Sequence, residues 1–286
     1  MGWIIFWLVV AGVAVFAYAC LIERNWFALR RHRVPCLPPG AQPLTVLHLS
    51  DLHLRTGQRR KRAFLRSLAQ VKPDLIVGTG DFLGDDRSVD AAVESVTATP
   101  ARAGALFVLG SNDYYSPVPK NPLRYFRRRR THPAPGKDNP WPQMVEGLQR
   151  AGWQLINNKA TEVDGFEVVG LDDAHIGRAD LRVARARAHA GFRLAVAHSP
   201  DVANELARLG YDLIVCGHTH GGQVCVPGLG ALVTNCTLPR SMAKGVHRLG
   251  DAWLHVSAGL GTSMYAPYRL ACRPEVCVLK LVAKES

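Results

Sequence analysis

Short apolar runs alternate with segments of helical spacing through most of this 286-residue chain. Residues 44–49, 74–77 and 105–109 have the length and composition of buried strands, whereas residues 59–71 and 87–98 have the spacing of amphipathic helices. This alternation predicts a largely parallel sheet covered by helices. The length allows one large α/β domain with a complete core, but not two such domains with linkers.

The second half of the chain continues this pattern and then changes. Strand-like runs at 166–169, 193–197 and 212–216 accompany a helical segment at 201–209. After Gly222 short strands dominate, and we expect them to form a second sheet. These later strands are predicted at 223–226, 252–256 and 275–281.

The first 22 residues contain no charged side chain. An apolar run of this length matches what a helix needs to cross a hydrocarbon core of about 30 Å. The alternative is a cleaved signal peptide, since residues 17–19 (Ala-Tyr-Ala) resemble a cleavage site, but such a peptide should begin with basic residues and none precedes this run. We therefore expect a transmembrane anchor at 1–22, a juxtamembrane linker at 23–43 and a catalytic domain at 44–286.

Basic residues determine the expected topology and the expected affinity for anions. Four arginines at positions 24, 30, 31 and 33 follow the apolar run, which favours a single-pass anchor in the cell membrane with the catalytic domain in the cytoplasm. The net charge of +12 favours anionic surfaces, and lipid headgroups fit a membrane-anchored chain at least as well as nucleic acid. Seven cysteines without a CxxC pair indicate scattered core residues rather than a disulfide framework.

Asp, His and Asn residues follow five of the predicted strands, where each strand ends. The carboxyl edge of an open α/β sheet is where ligands gather. Carboxylates and imidazoles without thiolates suit Mn, Fe or Zn in a catalytic site. A single Asp often only caps a helix and a single His is often a core residue, but five such groups in this order predict a metal centre. The groups are Asp51 and His53, Asp81, Asn112 and Asp113, His198, and His218 and His220.

The order of these groups resembles the calcineurin-like metallophosphoesterase superfamily, over residues 44–283. The segments 113–115, 170–173, 217–223 and 259–263 are similar to a membrane-associated bacterial subgroup related to phospholipid and lipid-A-precursor phosphodiesterases. The resemblance implies an α/β fold, specifically a four-layer α/β/β/α sandwich, preceded here by one transmembrane helix. It also implies two divalent metal ions. One would be held by Asp51, His53, Asp81 and His220, and the other by Asp81, an Asn, His198 and His218.

One departure from the family pattern affects the expected mechanism. The family has Gly-Asn-His-Asp/Glu where this chain has Gly110-Ser111-Asn112-Asp113, so the usual His is absent. Either Asn112 is the metal ligand, or Ser111 is the ligand and Asn112 takes the His position. We favour Asn112, because an amide oxygen suits a hard cation better than a neutral hydroxyl. Asp113 and His175 are the candidates to assist catalysis in place of the missing His.

The expected function is hydrolysis of a phosphomonoester or phosphodiester, of a lipid or nucleotide-linked headgroup, by a hydroxide held between two metal ions. The basic segment at 116–141, which contains Arg127 and Arg128, is either a solvated surface or a cap that binds the substrate phosphate or anionic lipid. The alternative function is a degenerate metal-binding scaffold with little hydrolysis. We expect no specific nucleic-acid partner, because no recognition motif accompanies the charge. The sequence leaves the oligomeric state open.

Overall fold

Two six-stranded sheets pack face to face, with helices on both outer surfaces. The structure is a computed structural model that describes residues 1–119, 136–185 and 191–284. The order of layers, helices outside two packed sheets, confirms the predicted α/β/β/α sandwich. The layer between the sheets is aliphatic, with Val46, Leu279 and Val215 among its buried side chains.

The first sheet collects strands from both ends of the chain. In spatial order the strands are β1 (Ala28–Leu37), β14 (Glu275–Ala283), β2 (Leu44–Leu49), β3 (Leu75–Gly78), β4 (Ala105–Phe107) and β5 (Trp153–Leu155). From β2 to β5 the strands run parallel, while β14 is antiparallel to β2 and parallel to β1. The carboxyl ends of β2, β3 and β4 therefore meet at one edge.

The second sheet comes from the later part of the chain. Its four central strands are parallel, and its two outer strands pair antiparallel to their neighbours. A separate hairpin is formed by β10 (Cys225–Val226) and β11 (Gly230–Ala231). The spatial order is β12 (Gly245–Leu249), β13 (Ala252–Val256), β9 (Leu213–Cys216), β8 (Arg193–Ala197), β7 (Phe166–Leu171) and β6 (Lys159–Val163).

The helices cover the outer face of each sheet with their apolar sides. Leu65 and Met144 pack with Leu47 of the first sheet, and Leu206 packs with Ile214 of the second. On the first sheet lie α2 (Arg59–Ser67), α3 (Val89–Thr97) and α5 (Trp141–Arg150), and on the second α6 (Arg182–Arg185) and α7 (Ala203–Arg208). A single turn, α4 (Ser111–Tyr114), follows β4.

Two sequence predictions about the sheets are corrected by the structure. Residues 23–43 are not simply a linker, because they contain β1, which pairs with β14 along most of its length. Pro35 is accommodated because β1 is an edge strand. The second prediction placed all late strands in the second sheet. It holds for the strand at 252–256. It is wrong for 223–226, which contributes to a separate two-stranded hairpin, and for 275–281, which lies in the first sheet as β14, since local sequence does not specify the partner of a strand.

The apolar N-terminus is helical and exposed. The helix α1 (Gly2–Ala17) continues through a π-helical turn and a 3₁₀ turn, giving a helical segment Gly2–Asn25 with mean hydropathy 2.6 and only 6% of its apolar window buried. At 1.5 Å per residue this segment is about 36 Å long, enough to cross a bilayer core. It is a candidate membrane span.

Candidate metal centre

The seven predicted metal ligands come together where the carboxyl ends of strands from both sheets meet. The loop after β2 contacts the loop after β9, because the backbone N–H of His218 donates to the carboxylate of Asp51 at 3.0 Å. The loop after β3 contacts the turn after β4, since the backbone N–H of Asn112 donates to Asp81 at 2.8 Å. The grouped residues are Asp51, His53, Asp81, Asn112, His198, His218 and His220.

Five of these residues have left-handed backbone conformations that side chains rarely adopt. Their φ angles are between +39° and +68°. Such conformations cost free energy and persist where the surrounding structure enforces them, which is common at functional sites. Here they turn the chain sharply after a strand and direct the side chains into the same space. The five are Asp51, His53, Asp81, His218 and His220.

The first group of candidate ligands consists of two carboxylates and two imidazoles. One ligand atom from each of Asp51, His53, Asp81 and His220 lies within 4.8 Å of the others. The Nε2 atoms of His53 and His220 are 3.3 Å apart, and His53 Nε2 is 3.5 Å from Asp81 Oδ2. Such a mixed oxygen and nitrogen donor set fits a divalent transition metal.

The second group shares Asp81 with the first. The same Asp81 Oδ2 is 3.6 Å from His198 Nε2 and 2.7 Å from the amide nitrogen of Asn112. Nδ1 of His218 lies 3.2 Å from His198 Nε2. One carboxylate oxygen therefore faces both groups, as expected for a bridging ligand between two metal ions.

Backbone carbonyls orient two of the histidines. His198 Nδ1 is 2.7 Å from the carbonyl of Thr79, and His218 Nε2 is 3.2 Å from the carbonyl of Asn235. In a neutral imidazole, donation to a carbonyl by one ring nitrogen leaves the other unprotonated, and here that other nitrogen is directed at the site. Nε2 of His198 and Nδ1 of His218 are thus the atoms available to a metal ion.

Glycines permit the close approach of the loops. A side chain at Gly110 would collide with Asp81 Oδ1 and the His198 ring, and one at Gly217 would collide with Ser50 and Asp51. Both positions therefore require a residue without a Cβ atom. This explains why a glycine precedes the candidate ligands in two of the sequence motifs.

The buried carboxylates give the site a strong negative potential. Burial lowers the pKa of His198, but Asp81, Asp173 and Asp51 outweigh it and raise that pKa to about 10. Burial, with a contribution from Asp81, raises the pKa of Asp51 to about 6. Carboxylates that are this deeply buried are costly unless cations compensate their charge. The electrostatics therefore favour bound metal ions.

Asp113 lies next to the candidate ligands, but its contacts are structural. It is fully buried, and its two oxygens accept backbone N–H groups from Asp81, Phe82, Leu83 and Gly110 at 2.7 to 3.1 Å. Both oxygens are thus occupied by the loop that carries the bridging carboxylate and by the turn after β4. The contacts do not support the expected catalytic assistance by Asp113, and instead give it a positioning role.

His175 lies beside the second ligand group. Its ring centroid is 4.4 Å from that of His218, and the residue is half-buried at the start of the segment after β7. The backbone N–H of His175 donates to Asp173 at 2.7 Å, which holds the turn. The position of His175 is therefore compatible with the prediction that this residue assists catalysis.

Arg127 and Arg128 lie outside the described residues. The described ends of their segment meet, since the backbone N–H of Ser116 donates to the carbonyl of Lys137 at 2.8 Å. The side chain of Asn139 donates to the carbonyl of Asn112 at 2.8 Å. The basic segment therefore leaves and returns next to a predicted metal ligand.

Several residues of the site were not predicted from the sequence. Thr79 and Asn235 act through backbone carbonyls, which any residue type supplies. Arg269 is fully buried and donates to five backbone carbonyls, including that of His220. Asp173 has a buried oxygen, Oδ2, without a hydrogen-bond partner among the described residues. A buried Arg and a buried Asp are recognisable only after folding.

Comparisons with known proteins agree with this geometry. The sequence profile of the calcineurin-like phosphoesterase family matches residues 44–222. Phosphodiesterase YaeI of Escherichia coli is 32% identical, over 96% of this chain and 95% of its own length. UDP-2,3-diacylglucosamine pyrophosphatase LpxG of Chlamydia muridarum is 25% identical, over 96% of this chain and 94% of its own. A transmembrane protein with a metallophosphoesterase domain from Bos taurus is 27% identical, over 86% of this chain and 55% of its own.

The shared profile covers the loops after β2, β3, β4, β8 and β9, which carry all seven predicted ligands. This chain thus combines the sandwich fold with a group of Asp and His side chains that could hold a metal ion. Its relatives include a phosphodiesterase and a pyrophosphatase. The chain belongs to the calcineurin-like phosphoesterase family and is a phosphoric ester hydrolase.

Proposed function

We propose that this protein is a membrane-anchored phosphoesterase that uses two divalent metal ions to hydrolyse a phosphoester or pyrophosphate bond in the headgroup of a lipid or lipid-linked nucleotide. The observation that carries the proposal is the direct connection between the metal centre and the end of the apolar helix. Arg269 makes this connection. Its guanidinium donates to the carbonyl of His220 at 3.3 Å, and its backbone N–H donates to the carbonyl of Ala19 at 3.2 Å.

The end of the helix is packed on the catalytic domain. Ala19 and Glu23 are buried, and the Glu23 carboxylate accepts backbone N–H groups from Ala271 and Cys272 at 3.0 and 2.6 Å. These contacts support a retained anchor, because cleavage after Ala19 would remove the helix from a domain built to hold it. They would also keep the metal centre close to the bilayer surface.

Exposed apolar side chains around the β10–β11 hairpin support a lipid surface as the partner. Val226, Leu229 and Leu232 are 41%, 73% and 41% exposed. The hairpin is joined to the segment that contacts the helix, since the backbone N–H of Cys225 donates to the carbonyl of Leu270 at 2.8 Å. Grouped exposed apolar side chains next to a candidate membrane span suit insertion into the headgroup region.

The arginines after the helix favour a cytoplasmic domain in a single-pass topology. The relative named for its action on UDP-2,3-diacylglucosamine supports a lipid-linked substrate. Protection of the domain from added protease in right-side-out vesicles, and cleavage after the vesicles are opened, would agree with the topology. Cleavage in intact right-side-out vesicles would contradict it.

Each group of residues has a definite task in the proposed reaction. Two divalent ions, of Mn, Fe or Zn, would supply a nucleophile at neutral pH and neutralise phosphate charge. Asp81 would bridge them, with Asp51, His53 and His220 on one side and Asn112, His198 and His218 on the other. Asp113 would hold the Asp81 loop, and His175 would lie near enough to the second group to donate a hydrogen bond or proton to the leaving oxygen. Arg127 and Arg128 would bind substrate phosphate.

The test uses the full-length protein in detergent micelles. A soluble form that lacks the apolar helix and the arginines after it, and so begins at residue 34, would be cut within β1. Wild type and Asp81→Ala are loaded with Mn²⁺. Metal content is measured, together with hydrolysis of bis-(p-nitrophenyl) phosphate and of UDP-2,3-diacylglucosamine. We expect about two Mn²⁺ ions per chain and hydrolysis of both substrates in the wild type, and we expect Asp81→Ala to lose hydrolysis and to bind less Mn²⁺.

The possible results separate the parts of the proposal. Hydrolysis of only the soluble diester would retain the dinuclear mechanism and exclude this lipid-linked nucleotide. Metal binding without hydrolysis of either substrate would contradict the proposed function and favour the scaffold alternative. Full activity in Asp81→Ala would overturn the assignment of the bridging ligand.

A further inference from the structure

A second group of metal-binding side chains lies between the two sheets, away from the catalytic loops. His32 of β1, His255 of β13 and Cys277 of β14 each offer a ligand atom within 4.8 Å of the other two. His255 and Cys277 are fully buried, while His32 is half-buried. Two imidazoles are unusual in a layer that is mostly apolar, since burial of polar groups costs free energy unless they are bonded.

His255 is oriented with one ring nitrogen bonded and the other available. Its Nδ1 is 2.9 Å from Nδ1 of His48, and His48 Nε2 is 2.9 Å from the hydroxyl of Thr79. A hydrogen bond between the two Nδ1 atoms requires that one of them donates and the other accepts. We assign donation from His255 Nδ1 to His48 and from His48 Nε2 to Thr79, because the reverse direction would leave the buried Nε2–H of His255 without an acceptor.

This arrangement leaves a lone pair on His255 Nε2. That atom is buried and has no hydrogen-bond partner among the described residues. A histidine whose second nitrogen donates to another protein group, while the first is unprotonated, is in the form that binds metals. The His255 ring centroid is 5.5 Å from that of His32, so the available nitrogen belongs to the same group of side chains.

We propose that His32, His255 and Cys277 form a second metal site, distinct from the catalytic centre, for a borderline divalent cation such as Zn²⁺. Two imidazoles and one thiolate are donors typical of zinc. Ligand atoms around tetrahedral zinc are about 3.5 Å apart, so the present atoms need to close by no more than about 1.3 Å.

Two further features make the site suitable for a cation. The Cys277 thiol donates to a carboxylate oxygen of Glu275 at 3.8 Å; when a cation displaces this proton to solvent, the thiolate and the nearby carboxylate would both offset part of the cation's charge. Half-buried His32 lies on an edge strand, so a cation and its fourth ligand, a water molecule, can enter from that side. The indole of Trp253 donates to the carbonyl of Pro35 at 3.0 Å and holds β13 against β1 around the site.

The site is connected to the catalytic centre through Thr79. The hydroxyl of Thr79 contacts His48, and its carbonyl faces Nδ1 of the proposed catalytic ligand His198. A cation on His255 would strengthen the donation from its Nδ1 and stabilise this series of contacts. The second site would therefore contribute to the orientation of a catalytic ligand from within the core.

The test uses cobalt, because a cobalt–thiolate bond has a charge-transfer absorption in the near ultraviolet and none of the proposed catalytic ligands is a thiolate. Full-length protein in detergent is stripped with a chelator and reloaded with Co²⁺, in an Asp81→Ala background that removes the bridging ligand of the catalytic centre. We expect the charge-transfer band and about one tightly bound ion per chain. Zn²⁺ should displace the Co²⁺ and abolish the band.

Variants identify the ligands and control for folding. Cys277→Ser should abolish the band, whereas Cys36→Ser, which alters another fully buried cysteine of the same layer, should retain it. His32→Gln changes a half-buried side chain and should weaken Co²⁺ binding at least tenfold while the protein stays folded by circular dichroism. Absence of the band in the parent protein, or its persistence in Cys277→Ser, would overturn the proposal.

Discussion

The side-chain amide of Asn112 donates to Oδ2 of Asp81 at 2.7 Å, and the backbone N–H of Asn112 donates to Oδ1 of the same carboxylate at 2.8 Å. Asn112 is thus held against the residue that faces both ligand groups. Because the two amide atoms are nearly isosteric, rotation of the amide by 180° would direct its oxygen to the same place. This position supports Asn112, rather than Ser111, as the ligand after β4.

Asn112→Ala should reduce the Mn²⁺ content of the Mn²⁺-loaded protein from about two ions per chain toward one and lower kcat at least tenfold, because one side of the dinuclear centre loses a ligand. Ser111→Ala is the matched control and should retain both ions. Metal content after gel filtration and initial rates with bis-(p-nitrophenyl) phosphate check this prediction. Loss of metal in Ser111→Ala alone would assign the ligand to the serine.

Asp113→Asn should destabilise the protein and lower its activity together. The amide cannot accept all four backbone N–H groups that the carboxylate accepts, and hydrogen bonds to a charged group contribute about 1.5–3 kcal/mol each. We expect a lower midpoint of thermal unfolding and weaker metal retention. An unchanged midpoint with a change only in the pH dependence of kcat would instead support acid–base catalysis by Asp113.

His175→Gln should affect substrates according to their leaving groups. If His175 assists the leaving oxygen, hydrolysis of an alkyl phosphodiester should fall about a hundredfold, whereas the p-nitrophenyl ester should change little, because its leaving group needs no proton. His247→Gln, at a half-buried histidine on β12, is the control and should alter neither rate. Equal losses for both substrates would argue for a structural role of His175.

Lys61 should make stability depend on pH. Burial, with Arg269, Arg55 and Arg24 nearby, lowers the pKa of Lys61 from 10.5 to about 7. Between pH 7 and 10.5 the unfolded chain therefore binds more protons than the folded chain, so the contribution of Lys61 to stability rises with pH. Below pH 7 the ammonium is charged in both states and its burial is fully unfavourable.

The comparison with Lys61→Met isolates this effect. The variant should be more stable than wild type at about pH 6, although it loses the 2.7 Å hydrogen bond from Lys61 to the carbonyl of Leu52. The difference between the two proteins should shrink as the pH approaches about 10. The difference in stability between wild type and Lys61→Met is measured from unfolding midpoints in guanidinium chloride across this pH range. A stability difference that stays constant over the range would contradict the prediction.

Leu229→Asp should impair hydrolysis of lipid-linked substrate without affecting the metal centre. Burial of one leucine in the lipid headgroup region contributes about 1.5–3 kcal/mol, so KM for UDP-2,3-diacylglucosamine in vesicles should rise about tenfold or more. The rate with bis-(p-nitrophenyl) phosphate should not change. Arg208→Asp, which replaces an exposed residue of α7 on the far sheet, controls for the added charge. Equal effects of both variants would refute a specific role for the hairpin.

The local sequence was sufficient to predict many of the strands and helices and the candidate ligands. Strands such as β2, β3 and β8 are uninterrupted apolar runs because both of their faces are buried, and glycines at 110 and 217 precede candidate ligands because loops approach there without space for a Cβ atom. The apolar N-terminus was also recognisable from local sequence, because a helix in lipid must be hydrophobic on all sides. These properties depend on neighbouring residues in the chain.

The tertiary structure alone decided how distant segments meet. Pairing of β1 with β14 joins residues about 250 positions apart in the chain, and nothing in either segment specifies the other. The positioning role of Asp113 follows from backbone N–H groups of another loop, and Arg269 joins the metal centre to the helix through carbonyls that every residue carries. Backbone partners and sheet order depend on the packing of the whole chain, so sequence patterns of period 2 or 3.6 contain no information about them.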